Sequence, residues 1–301
     1  MLLEATAGSY GEAPSGERLP AAMRLGGVVL QIADLARSVA YYEQVLGLHV
    51  AARSDAEAIL SAQGDSAPLV TLREHQGARA HPQRGRLGLF HFAILLPDRP
   101  SLARFVRHLH EHDVHPGAGD HGVSEAFYLT DPDGLGIEVY ADRPRSTWRR
   151  RGRELAMGTD PVDIRGLLGD ASDTPWSGMP KGTVMGHLHL HVNDLGSTSA
   201  FYSETLGFDR TVWSYPGALF FAAGGYHHHL GTNLWAGEGA TAPAPDEAQL
   251  LEWTIELPDD VDVRAVETRL SAARVTLSRD GAALVVRDPS GTPLRIRTAS
   301  R

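Results

Sequence analysis

Glu138 stands in the middle of an apolar strand pattern, Gly136–Tyr140 (GIEVY), where a carboxylate is costly to bury unless a cation meets it. Ile137 and Val139 would face one way, leaving Glu138 on the other face with Gly136 and Tyr140. Groups able to share a cation with it are plentiful. His91 sits in LFHFAIL, His187, His189 and His191 alternate along one strand, and His227, His228 and His229 are consecutive. Fifteen histidines in a chain without cysteine point to imidazole and carboxylate metal chemistry. The missing cysteines remove disulfides, thiolate metal sites and cysteine nucleophiles.

The elements that must position these groups form a repeat. Glu125–Thr130 (EAFYLT) and Gly136–Tyr140 read as strands joined by the turn Asp131-Pro132-Asp133-Gly134. From Leu25 a strand leads through Asp34, a helix cap, into a helix turning Val39, Tyr42, Val45 and Leu46 inward, with Gly47 ending it. Glu57–Gln63 and Pro68–Glu74 read as the strands that follow. The same pattern returns 160 residues later, Asp34 matching Asp194, Tyr42 matching Tyr202 and Gly47 matching Gly207. Leu89–Asp98 is echoed by Leu250–Asp259, and Asp131–Val139 by Asp288–Ile296. The chain is therefore expected to be four βαβββ units in two long repeats, 24–142 and 183–301. Residues 143–182 read as a linker with one short helix near Val162–Leu168, and residues 1–23 as a loose, disordered tail.

Composition sets outer bounds. An apolar fraction of 42% and a charged fraction of 22% are those of a globular chain, 301 residues suit two domains, and the repeated βαβββ units make the expected class α+β. A net charge of -9 argues against nucleic acid or an anionic membrane surface as partner. No apolar run approaches the ~18–20 residues of a membrane span, and no signal-peptide core is visible, so a cytoplasmic location is expected.

Four such units, with GxxxL strand starts, "FY…LGF" helices and "DPDG…IEVY" endings, resemble the vicinal oxygen chelate superfamily, and within it the extradiol catechol 2,3-dioxygenases. The resemblance implies paired units forming two half-open barrels, with metal ligands on the first and last strand of each unit. The first unit then offers Gly27 and no histidine, the second His91 and Glu138, the third His187 and one of His227–His229, and the fourth Glu252 and Arg295. An arginine has no lone pair for a cation. The active barrel is therefore expected between units two and three, with His91, Glu138 and His187 as ligands. The rival is a sequential pairing that uses His187, His229 and Glu252. In the blank barrel Glu252 and Arg295 should meet each other as an ion pair.

Two imidazoles and a carboxylate suit Fe(II), with Mn(II) as an alternative, and leave three positions open. Same-face residues lie roughly 6.5–7 Å apart on a strand, so only one of His187, His189 and His191 is expected to bind. The resemblance further implies catalytic roles for Tyr128, ten residues before Glu138, and for His121. The family's histidine stands nine residues before that tyrosine, where this chain has Gly119, whereas His121 stands seven before. On strand alternation His227 and His229 share a face that His228 opposes, and His229, nearest the strand interior, is the one expected to act as acid–base. The implied activity is Fe(II)-dependent cleavage of catechol or a substituted catechol by dioxygen, with a small aromatic diol and O2 as partners and homo-oligomerisation left open. The alternatives are a metal-dependent glyoxalase-like isomerase or thiol transferase, with His229 as a fourth ligand, and a metal-free binding protein.

Overall fold

The computed structural model describes residues 1–172 and 174–299. Each unit has the same local cause for its first turn: an aspartate caps the helix that follows the opening strand. Asp34 accepts from the Arg37 amide, Asp98 from Ser101, Asp194 from Ser197, and Asp259 from both Val261 and Asp262. Each carboxylate thereby satisfies an amide that has no partner inside the helix. The capped helices are Leu35–Gln44, Arg99–Glu111, Leu195–Ser199 (continuing as a π-helical turn, Ala200–Thr205) and Asp260–Ala272.

Among the described residues Leu3–Glu4, Arg149–Arg151 and Glu154–Leu155 form a separate sheet of three, and the strands of the four units assemble into two eight-stranded sheets. In one, the opening strand of the second unit, Gly88–Leu95, runs antiparallel to that of the third, Val184–His191. In the other, Arg24–Ile32 of the first unit pairs antiparallel with Gln249–Leu257 of the fourth. Units two and three thus share one sheet, and units one and four the other. Glu252 lies in the second sheet, away from His187, which removes the sequential ligand set. Within each unit the last strand returns parallel to the first, so that Ala93 pairs with Glu138.

A repeated contact links the two sheets across their shared core. The Tyr42 hydroxyl donates to Asp131 over 3.1 Å, and Tyr202 donates to Asp288 over 2.9 Å. Each links the helix of one unit to the turn of the next. At the first of these turns Asp131 also accepts from the amides of Asp133 and Leu135, and Gly134 takes the left-handed φ of 86° that closes the hairpin.

Two expectations need correction. Residues 1–23 do not lie loose: Leu3–Glu4 pairs with Arg149–Arg151, Tyr10 donates to the Gly225 carbonyl, and Leu19 and Met23 enter the core. A few buried anchors suffice to fix a segment whose average composition is polar. The connection 143–182 is likewise folded against the units, with its helix at Ile164–Gly169 and with Trp148 and Met179 buried.

Candidate metal centre and its cavity

Alternation along Gly136–Asp142 sends Glu138 to the concave face of the first-described sheet. Register then gives it its neighbours. Tyr128 lies directly across the hairpin, which is what a spacing of ten around this turn produces. His91 Nε2 lies 3.0 Å and His187 Nε2 3.2 Å from the same Glu138 oxygen. The three ligand atoms lie within 4.8 Å of one another, and all three residues are buried.

This cluster is under-satisfied as a purely protein arrangement. Among the described residues, Glu138 Oε1, His187 Nδ1 and, beside them, His189 Nε2 are buried without hydrogen-bond partners, and His91 Nε2, although 3.0 Å from the Glu138 carboxylate, makes no aligned hydrogen bond to it. Buried polar atoms are seldom left so. Burial acts to raise the Glu138 carboxyl, yet His187 and His91 hold it well below the usual carboxylate range. Burial pushes the His187 imidazole down to about 4 against the pull of Glu138. At neutral pH the result is an anionic carboxylate facing a neutral His187, the protonation states that bind a divalent cation. The donor set fits a metal.

The centre opens into a cavity of about 290 Å³ lined by Tyr128, His121, His189, His228 and a set of apolar side chains. His121 Nδ1 donates to the Gly158 carbonyl over 2.6 Å, so its Nε2 is free to accept the Tyr128 hydroxyl, also at 2.6 Å. Gly119 explains the altered spacing. The His121 ring folds back over it, with Cε1 3.2 Å from where a Cβ would be, so a side chain at 119 would crowd the ring that reaches Tyr128. Burial, and secondarily Glu138, raise the Tyr128 phenol above its ordinary value. The Tyr128 phenol therefore keeps its proton at neutral pH.

His229 does not reach the cavity, which removes the four-ligand set containing it. Gly224 and Gly225, both left-handed, turn the chain, and the histidines lie in the loop that enters Leu230–Asn233 rather than within that strand. Strand alternation has no hold there. His228 faces the cavity, its ring centroid 4.2 Å from that of His187. His229 instead accepts the Ala223 amide at Nδ1 and packs on Tyr226. Behind His228 stands a fixed chain. His227 Nε2 donates to Asp142 over 2.9 Å, leaving Nδ1 to accept from His228 Nδ1 over 2.7 Å, so the free nitrogen of His228 is Nε2. Further along the opening strand, His191 donates to the Asn233 side chain over 2.7 Å, away from the ligand set.

Residues 24–139 match the model of the Glyoxalase/Bleomycin resistance protein/Dioxygenase superfamily. A "Catechol-2,3-dioxygenase" of Bacillus subtilis (strain 168) is 46% identical over 269 residues, covering 88% of this chain and 93% of the relative. The chain belongs to this superfamily, in its dioxygenase family. A second dioxygenase relative, "Biphenyl-2,3-diol 1,2-dioxygenase 3" of Rhodococcus globerulus, is 28% identical over 45% of this chain and 74% of its own length. The superfamily fold recurs in the crystal structure of glyoxalase I from Zea mays, at a TM-score of 0.55 and 17% identity over 91% of this chain and 92% of the maize protein.

Proposed function

We propose that this enzyme is an Fe(II)-dependent extradiol dioxygenase that opens catechol, or a substituted catechol, to a 2-hydroxymuconic semialdehyde. The observation that carries the reading is the buried convergence of His91, Glu138 and His187 in a cavity whose walls are mostly apolar, together with the unpartnered polar atoms there. Three protein ligands leave open positions for two diol oxygens and dioxygen. Bound Fe(II) would supply the electron path between the ring and dioxygen.

The chain's own groups supply the rest. His228 Nε2, unprotonated and facing the cavity, takes a proton from the incoming diol and can return it later, while His227 and Asp142 hold the ring. The Tyr128 O–H, held on His121 Nε2 before the diol enters, would turn from that acceptor to donate toward substrate oxygen beside Glu138. Apolar walls exclude water, which strengthens each of these interactions. Both oxygen atoms of O2 enter the product and no net proton is consumed.

The test is anaerobic loading with Fe(II), metal analysis, and oxygen uptake on catechol with the yellow ring-fission product followed in parallel. Glu138→Gln should lose both iron and uptake while remaining folded by circular dichroism. Full uptake in that variant would overturn the ligand assignment.

A further inference from the structure

We propose that the cavity carries a built subsite for an uncharged, apolar ring substituent, formed chiefly by Phe90 and Trp235 with Tyr215 and Phe220. It therefore selects alkyl- or aryl-substituted catechols over those bearing a carboxylate. This rests on the reading above that the cavity receives a catechol.

Phe90 should not face the cavity at all, since its neighbour His91 does and successive strand residues point to opposite faces. A β-bulge puts it there. His189 pairs with His91 and Leu190 with Leu89, leaving Phe90 as the extra residue of its strand. Bulges re-aim side chains in this way beside active sites. The Phe90 ring comes to lie 5.0 Å from that of His91 and 5.3 Å from that of His189, centroid to centroid. The chain accommodates the bulge at Gly136, where any Cβ would collide with the Phe90 carbonyl.

Trp235 completes an aromatic corner. Its ring meets Phe90 edge-on at 5.7 Å and an interplanar angle of 82°. The indole N–H is held by the Pro216 carbonyl at 3.1 Å and its backbone amide by Asn233 at 2.9 Å. Both rings nevertheless remain open, Phe90 at 37% and Trp235 at 39% exposure, although they line the cavity. Two large, fixed aromatic faces left uncovered beside a metal centre are suited to an apolar group carried by the substrate.

Charge supplies the exclusion. Among the described residues, the cavity lining contains no lysine or arginine, and its one carboxylate, Glu138, is already committed to the metal site. A carboxylate on the substrate ring would be desolvated here without a counter-charge.

The experiment uses the full chain loaded with Fe(II) and two matched pairs of diols that differ in a carboxylate: 4-ethylcatechol against 3,4-dihydroxyphenylacetate, and 3-propylcatechol against 3-(2,3-dihydroxyphenyl)propanoate. The neutral member should have the higher kcat/KM in both pairs, by about 100-fold, toward the upper end of what side-chain discrimination supplies. Trp235→Ala and Phe90→Ala should each lower the preference for 3-propylcatechol over catechol by about tenfold, the scale of a lost apolar contact. Trp235→Arg should narrow the discrimination against the acids. Equal kcat/KM within the matched pairs, or an unchanged 3-propylcatechol preference in both alanine variants, would overturn the subsite while leaving ring cleavage standing. If no diol is cleaved, the dioxygenase reading fails, and binding to the metal-free protein decides the subsite by itself. Quenching of tryptophan fluorescence by the neutral diols but not the acids, lost in Trp235→Phe, upholds it; equal quenching by both overturns it.

Discussion

The Tyr128 hydroxyl donates to His121 Nε2 over 2.6 Å, while the opposite nitrogen of that ring is tied to the Gly158 carbonyl. One backbone carbonyl, in the segment between the two long repeats, thus fixes the tautomer of an imidazole on the second unit. Tyr128→Phe and His121→Ala should each keep iron yet slow turnover by roughly 10²–10⁴-fold, the scale of a positioned proton donor. Because the two act as a unit, the double variant should be little worse than either single one. Multiplicative losses, measured by oxygen uptake, would show that they act separately.

His228 and His229 differ by one position and should differ in consequence. His228→Ala removes the imidazole that faces the cavity and should slow turnover by about 10²–10⁴-fold with metal retained. His229→Ala should leave kcat within a few-fold, since that ring packs on Tyr226 outside the cavity. Metal content and steady-state rates on catechol read both, and the reverse ordering would contradict the geometry.

In the other sheet Arg295 meets Glu252 at 2.6 Å, as expected from the repeat, and Asp280 at 3.0 Å. The pair is half-buried, Glu252 being 20% and Arg295 23% exposed. Solvent screening then brings the cost of Arg295→Met down to about 1 kcal/mol, well below the ~3–5 kcal/mol of breaking a fully buried pair. Urea denaturation should register that loss, and ring cleavage should be unchanged. A folded Arg295→Met protein without activity would place the chemistry in this sheet instead.

Burial raises the Asp131 carboxyl from 3.8 to about 6, despite the amides of Leu135 and Asp133 that favour its charged form. The folded state therefore holds this proton more tightly than the unfolded chain does. The contribution to stability is present below about pH 4 and is lost as pH rises through 6. The two-unit shift corresponds to about 3 kcal/mol. Asp131→Asn cannot titrate, so its stability relative to the parent protein should improve by about that amount between pH 4 and pH 7. A stability difference that stays flat with pH would show that Asp131 ionises normally.

The sequence by itself determined whatever depends on local period and repeat. The four-unit repeat, the Asp34 cap and the turn at Asp131–Gly134 are legible because capping and turn chemistry act within a few residues. Glu138, His91 and His187 stand out for a related reason: in regular strands alternation fixes the face, and the repeat fixes the register. The opposed charges of Glu252 and Arg295 followed from the same register. Tertiary structure decided what lies where that periodicity breaks. Left-handed glycines and a loop, rather than a strand, turn His228 instead of His229 toward the cavity. The bulge at Phe90 overrides alternation because it depends on the partner strand and on the space left at Gly136. His121 reaches Tyr128 from two residues off the expected place because Gly119 lets its ring fold back. The first 23 residues and the connection between the repeats carry weak local signals, so their positions, Gly158 against His121 among them, are set only by contacts made across long stretches of chain.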